Sequence, residues 1–288
     1  MVNPGPGTSR YLSLVTQLLI TAMENNVYLL ATSLFAALVG AVLGLVLLGL
    51  RHGLGRTAPT GAASGSRLLI WAGASLLMWL GLTAALAAAG QLQDFEARPP
   101  LLMLLLPVPL VAAVLLARSA AVGRLLDALS PAGLIYLQSM RIVVELVLWL
   151  LFLAGVVPRQ MTFEGLNWDV LTGLTAPVVA YFCFTRPRWP WQVALGWNIV
   201  GLALLVNIVA VAMLSTPMPF RQFMNEPANT VIAHFPMVWL PVFIVPVAYT
   251  LHVLSIRQLW RRAQAASRQT SAPVTSASST LSASAKGA

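Results

Sequence analysis

The run Leu134–Leu153 constrains this chain more than any other stretch. It reads LIYLQSMRIVVELVLWLLFL, and about 20 apolar residues suffice for a helix to cross a bilayer. Arg141 and Glu145 lie inside it. At ~100° per residue, Gln138, Arg141, Glu145 and Trp149 fall on one helical stripe. A charge at mid-membrane costs at least ~2.5–3.5 kcal/mol, so this stripe must face protein or water and not lipid. A helix that cannot turn one face to lipid needs neighbours, and the sequence supplies them.

Six further apolar runs accompany it, near Val27–Leu50, Leu68–Ala89, Leu101–Ala117, Trp168–Phe184, Gln192–Leu214 and Met237–Ser255. The third and fifth of the seven are short and contain proline: Pro107 and Pro109 in one, Pro177 in the other. The chain is 58% hydrophobic and 9% charged, where soluble domains carry about a quarter charged residues. These features predict an all-α fold, a polytopic transmembrane helix bundle of about seven spans with the lipid bilayer as its environment. The bundle is expected over residues 27–255. Residues 1–26 are expected outside it as an interfacial helix, because Glu24-Asn25-Asn26 interrupts the apolar pattern. Residues 256–288 are expected to be a basic stop followed by a disordered Ser/Ala-rich tail. The opening residues lack the basic region of a cleavable signal peptide, so the first span is expected to stay and direct insertion.

Charge sets the expected orientation. Arg51, Arg56, Arg67, Arg118, Arg124, Arg186, Arg188, Arg257, Arg261, Arg262, Arg268 and Lys286 fall in one set of connecting segments; Arg10, Arg98, Arg159 and Arg221 fall in the other. That bias puts the N-terminus out and the C-terminus in. Trp71, Trp189, Trp191 and Trp260 then lie at inner ends and Trp168 and Trp239 at outer ends, as interfacial belts require. The net charge of +9 is spread between apolar runs and forms no concentrated basic face, so it argues for topology and not for nucleic acid.

Few catalytic or metal chemistries are legible. His52, His234 and His252 are the histidines; the last two would lie ~27 Å apart along one helix, so they cannot share a metal. There is no HExxH, no GxSxG and no cofactor motif. The single cysteine, Cys183, lies in an apolar run and excludes an intramolecular disulfide, which leaves it as a small buried hydrophobe. No catalytic residue, metal or cofactor is expected.

The candidate site is therefore the charged stripe. Arg141 and Glu145, at i and i+4, can neutralise each other on one helix, which is a structural reading. They can also line a polar ligand site with Gln138. Asn198 and Asn207 in the sixth run are nine residues apart and point to opposite faces; Asn198 matches Arg141 in depth and is the expected contributor, joined by Tyr249 and His252 of the last run. Two outer connectors mix aromatic and polar groups: Pro158–Asp169, with Glu164, Asn167 and Asp169, and Ser215–Asn229, with Arg221, Asn225 and Glu226. Such chemistry suits a packed cap or a ligand mouth. Phe163, Trp168, Phe220 and Phe223 are expected to anchor the two connectors to each other.

From Gln138 to Leu259 the chain resembles a group of uncharacterised bacterial multi-pass membrane proteins. The matching pieces are Met140-Arg141 with Glu145, Met161-Thr-Phe-Glu-Gly, Trp197-Asn, the Pro219-Phe220 connector and Val238-Trp-Leu-Pro. The resemblance implies an inner-membrane protein of bacterial type and brings no activity with it. The residues favour non-enzymatic binding or translocation of a small solute or ion. A structural partner for another envelope protein is the alternative, and an enzyme acting on lipid-linked substrates ranks third.

Overall fold

The computed structural model describes residues 6–57 and 62–270, and every regular element among them is helical. Helix α1, Pro6–Thr57, runs without a break, about 78 Å at 1.5 Å per residue. The expected division at residue 26 is absent from the backbone. Glu24, Asn25 and Asn26 are polar, but no proline or glycine accompanies them to stop a helix that has already nucleated. Helix α2, Ala62–Ala88, follows. Helices α3, Leu101–Leu105, and α4, Pro107–Arg118, are divided at Leu106 because Pro107 and Pro109 open a new helix, where a missing N–H costs nothing.

Helix α5, Ala120–Ala128, was not anticipated. Ser119 caps it, its hydroxyl accepting from the Val122 N–H at 3.2 Å. Helix α6, Pro131–Tyr136, passes through a 3₁₀ turn, Leu137–Ser139, into α7, Met140–Leu153. Helix α8, Val170–Ala180, ends in a π-helical turn, Tyr181–Thr185. Helix α9 is Trp191–Ser215, and a second π turn, Leu240–Ile244, opens α10, Val245–Thr270. The basic stop and the first residues of the tail expected to be disordered, 263–270, continue α10 as helix; the rest of that tail lies outside the described residues.

Among the described residues, six stretches are long and apolar enough to cross a membrane: Ile20–Arg56, Gly65–Ala88, Leu101–Arg118, Pro131–Leu153, Trp191–Ser215 and Leu240–Ser267. The fifth of the seven expected runs appears as a shorter apolar helix, Val170–Thr185. The chain is thus a helical membrane protein. The shortness of that helix has a local cause. The connector before it has already run alongside α7, so α8 starts within the bundle and not at its end.

Burial singles out two central elements. Half of the apolar window in Pro131–Leu153 and in Leu240–Ser267 is buried, against 17% in Gly65–Ala88 and in Leu101–Arg118. Phe35, Leu38, Val39 and Val42 of α1 pack with Val147, Leu148 and Leu151 of α7 in the main core. A smaller cluster joins Ala176, Val179, Ala180 and Cys183 to Ala194 and Leu259. Its alanines let backbones approach closely, which is how helices pack where lipid supplies no hydrophobic drive. Two indoles tie α2 to the start of the last span: Trp79 Nε1 donates to the Val242 carbonyl and Trp239 Nε1 to that of Leu80, both at 3.0 Å.

The basic residues near the end of α10 bind the ends of neighbouring helices. Arg257 donates to the carbonyls of Ala117 and Ser119, and Gln258 to those of Leu126 and Leu129. Arg262 reaches Leu129 O and Arg56 reaches Ala128 O, each at 3.2 Å. Helix C-termini present unpaired carbonyls and partial negative charge, so cations dock there. The arginines hold α5 against the bundle.

Candidate functional site

The stripe on α7 is buried: Gln138 is 1% exposed, Arg141 2% and Glu145 3%. What it faces corrects the expected pairing. Arg141 Nη1 lies 2.8 Å from Asp169 Oδ1, and Glu145 is not within ion-pair distance of it. Glu145 Oε1 instead accepts from Asn167 Nδ2. One turn further on, Trp149 Nε1 donates to Glu164 Oε1 at 2.7 Å. Residues 164–169 thus run antiparallel to α7, and three successive turns of the stripe find three partners on one connector. The neutralising group comes from 28 residues away in sequence and not from the next helical turn.

Irregular backbone inside a membrane protein needs internal hydrogen bonds. Asn167 supplies several, with Nδ2 also donating to Met161 O at 3.1 Å and Oδ1 accepting from the Asp169 N–H at 3.2 Å. Asn207 of α9 donates to Leu166 O at 2.8 Å. The two asparagines of α9 do point apart, as the helical spacing requires: Asn207 to the connector and Asn198 to the interior.

Asn198 Nδ2 donates to Ala194 O at 2.7 Å and to Ser255 Oγ at 3.0 Å. Its Oδ1 is left as an acceptor, 2.9 Å from His252 Nδ1. The proton therefore sits on Nδ1, and Nε2 offers a lone pair. His252 is fully buried, and its ring lies 5.6 Å from that of Trp197, whose Nε1 donates to Thr175 Oγ1 at 2.8 Å.

Gly201 is where these elements meet. Arg141 Nη1 donates to its carbonyl at 3.5 Å. A Cβ at this position would lie 2.6 Å from His252 Cε1, 3.0 Å from His252 Nε2 and 3.0 Å from Thr172 Cγ2. Only glycine lets α7, α8, α9 and α10 converge here. Gly173 serves the crossing of α8 on α7, where a Cβ would stand 2.9 Å from the Ile142 nitrogen and 3.2 Å from Arg141 Cβ. Around this crossing several buried polar atoms have no partner in the protein: Arg141 Nε and Nη2, Glu145 Oε2, Thr172 Oγ1 and His252 Nε2. Buried polar groups in native proteins are almost always satisfied, so such a concentration is unusual.

The remaining expected residues divide. Gln138 Nε2 donates to Ala248 O at 3.1 Å, which ties α7 to α10. Tyr249 is half-buried and lines an apolar groove with Leu110, Val114, Leu205 and Val245. Glu164 and Asn225 are exposed. Arg221 stays within its own connector, donating to Phe223 O, Asn225 O and Glu226 Oε1 at 2.7, 2.9 and 3.1 Å. The two connectors do touch, but through amides: Gln160 Nε2 to Ser215 Oγ at 3.0 Å and Asn225 Nδ2 to Gln160 Oε1 at 2.5 Å. Of the expected aromatic anchors, Phe163, Trp168 and Phe220 are 48%, 59% and 43% exposed, and Phe223 alone joins the core.

Asn167 and Asp169, read in the sequence as part of a surface mouth, belong to the buried site. Thr172, Gly173, Gly201 and Ser255 were missed. A Thr-Gly pair at the start of a short apolar helix was the available signal for two of them. No group of three or more potential metal ligands occurs among the described residues.

Fold and site together define a helical membrane protein with a polar crossing of four helices at its centre. The chain belongs to the family described as a domain of unknown function (DUF8737), which matches residues 99–260. The match contains the connector, the stripe and the whole crossing. No curated protein and no solved structure matches the chain.

Proposed function

We propose that the crossing at Gly201 binds a small polar solute or ion and that the protein moves it across, or senses it within, a bacterial inner membrane. One observation carries this reading: unpartnered donors on Arg141 and an unpartnered acceptor on His252, with the Thr172 hydroxyl, gather where four helices meet. Intramembrane ionisable groups of this kind mark substrate and ion pathways by default. The free guanidinium N–H groups suit a carboxylate or carbonyl oxygen, and His252 Nε2 suits a donor on the same solute. The arginine bias supports a topology with the N-terminus out, the short Val170–Thr185 helix serving as the fifth of seven crossings and α10 ending in the cytoplasm.

Thermal unfolding of the purified protein against a panel of small carboxylates, amino acids and inorganic ions tests the reading. A stabilising solute whose effect disappears in Thr172→Val supports it; no response across the panel sinks it. Reporters fused after Arg262 and inserted near Asp94 test the orientation, and should read cytoplasmic and external respectively.

The exposed Phe163, Trp168, Phe220 and Met224 on the two connectors favour a second reading, in which this face docks another envelope protein. Stoichiometric co-purification of one partner, lost on Trp168→Ser with Met224→Ser, would favour it over the first.

A further inference from the structure

We propose that Glu145 is a proton-binding site, and that the resting protein holds it as the neutral acid. This deepens the reading of the crossing as a solute or ion site, and rests on that reading only for what the proton is coupled to.

Glu145 is the one buried glutamate among the five in the chain, since Glu24, Glu96, Glu164 and Glu226 are all exposed. Three charged residues are buried among the described side chains: Arg141, Glu145 and Asp169. Two are acids and one is a base. Asp169 already takes the guanidinium at 2.8 Å, and Glu145 receives only the neutral amide of Asn167 on one oxygen. Its Oε2 has no partner.

No other group supplies the missing positive charge. Along α7, Arg141 and Trp149 are the polar neighbours one turn away. The connector brings Asn167 and Asp169. Helix α1, packed on the other side, carries no acid or base between Tyr28 and Arg51, and α8 and α9 carry none at all. His252 of α10 lies at the Gly201 crossing, beyond Arg141. An ionised carboxylate buried without a counter-charge is strongly disfavoured, and the group binds a proton instead.

Loss of that proton changes the local contest. The new carboxylate competes with Asp169 for one guanidinium, whose Nε and Nη2 are free. Arg141 and Glu145 are four residues apart on one helix and can reach each other by rotamer change alone. Protonation of Glu145 thereby decides whether Arg141 holds the connector at Asp169 or lets it go.

Infrared spectroscopy of the protein in lipid nanodiscs reads this directly. At neutral pH a protonated-carboxyl C=O band is expected, shifting when the protein is made with isotopically labelled glutamate and not with labelled aspartate. The band should be lost in Glu145→Gln. It should also be lost in Asp169→Asn, where Arg141 is released to Glu145. The labelling arm needs no variant, so it decides the matter even where a substitution unfolds the protein. Absence of the band at neutral pH, or a shift with labelled aspartate, overturns the proposal, as does a band that persists in folded Asp169→Asn. A glutamate band without any solute response defeats the solute reading and leaves the proton site standing.

Discussion

Two arginine–aspartate pairs in this protein share their chemistry and differ in everything around it. Arg261 and Asp127 meet at 2.5 Å with side chains 43% and 50% exposed; Arg141 and Asp169 meet at 2.8 Å with side chains 3% and 8% exposed. The first pair lies at the rim, where water solvates either partner alone, and such pairs contribute little. The second lies in the bundle, where removing one partner strands a charge. Distance alone would rank them the wrong way round. Burial decides which pair the fold depends on, and the same logic separates the arginine-rich end of α10 from the crossing at Gly201.

The largest expected effect is at the buried pair. Arg141→Met should destabilise by ~3–5 kcal/mol in denaturation of the detergent-solubilised protein, because Asp169 is left buried without compensation. Adding Asp169→Leu should recover most of the loss, whereas adding Glu145→Leu should not. Recovery with Glu145→Leu and not with Asp169→Leu would mean that the helical i, i+4 pair is the true one after all.

Next comes the packing beneath it. Gly201→Ala should cost ~1–3 kcal/mol, the usual range for overpacking, since its Cβ would meet His252 and Thr172. Gly196→Ala, on the same helix with open space around it, should be neutral or slightly stabilising. Equal losses for the two would show that helix α9 resists alanine generally and that the crossing has no special closeness.

A smaller change is expected where the connectors meet. Gln160→Ala should cost ~1 kcal/mol and speed hydrogen exchange in both 159–162 and 216–229, because its amide bonds both Ser215 and Asn225. Faster exchange in one connector only would separate them. Smallest of all, Asp127→Asn should leave the denaturation midpoint unchanged at moderate salt, since the Arg261 pair is solvated and screened. A loss comparable to that of Arg141→Met would erase the distinction between rim and core.

The apolar runs, the buried stripe and the inward turn of Asn198 were legible because each follows from a local period: hydropathy over a span, and 100° per residue along a helix. The partner of Arg141 was not. Asp169 sits beside Trp168 at the start of an apolar run, which reads as a boundary, and nothing local reveals that residues 164–169 run back along α7. Long-range pairing leaves no periodic trace in one sequence. Arg257, Gln258, Arg261 and Arg262 were legible as a basic stop, while their bonds to the ends of α4 and α5 depend on where two unrelated helices terminate. Helix α5 itself was hidden because nine mixed residues carry too little pattern. Ser119 as its cap was the clue. The aromatic anchors failed for a different reason: apolar side chains on a connector can face lipid or a partner as readily as each other.

The reciprocal tryptophan bonds bear on modularity. The family match starts at residue 99, yet the Val242 carbonyl inside it is satisfied by Trp79, and Trp239 inside it is satisfied by the Leu80 carbonyl. The face of α7 opposite the polar stripe is likewise covered by α1. A boundary of shared ancestry and a boundary of physical autonomy therefore fall in different places. Residues 99–260 inserted by themselves would lose the Trp79 donor to the Val242 carbonyl, the Leu80 acceptor for Trp239 and the packing of α1 on α7.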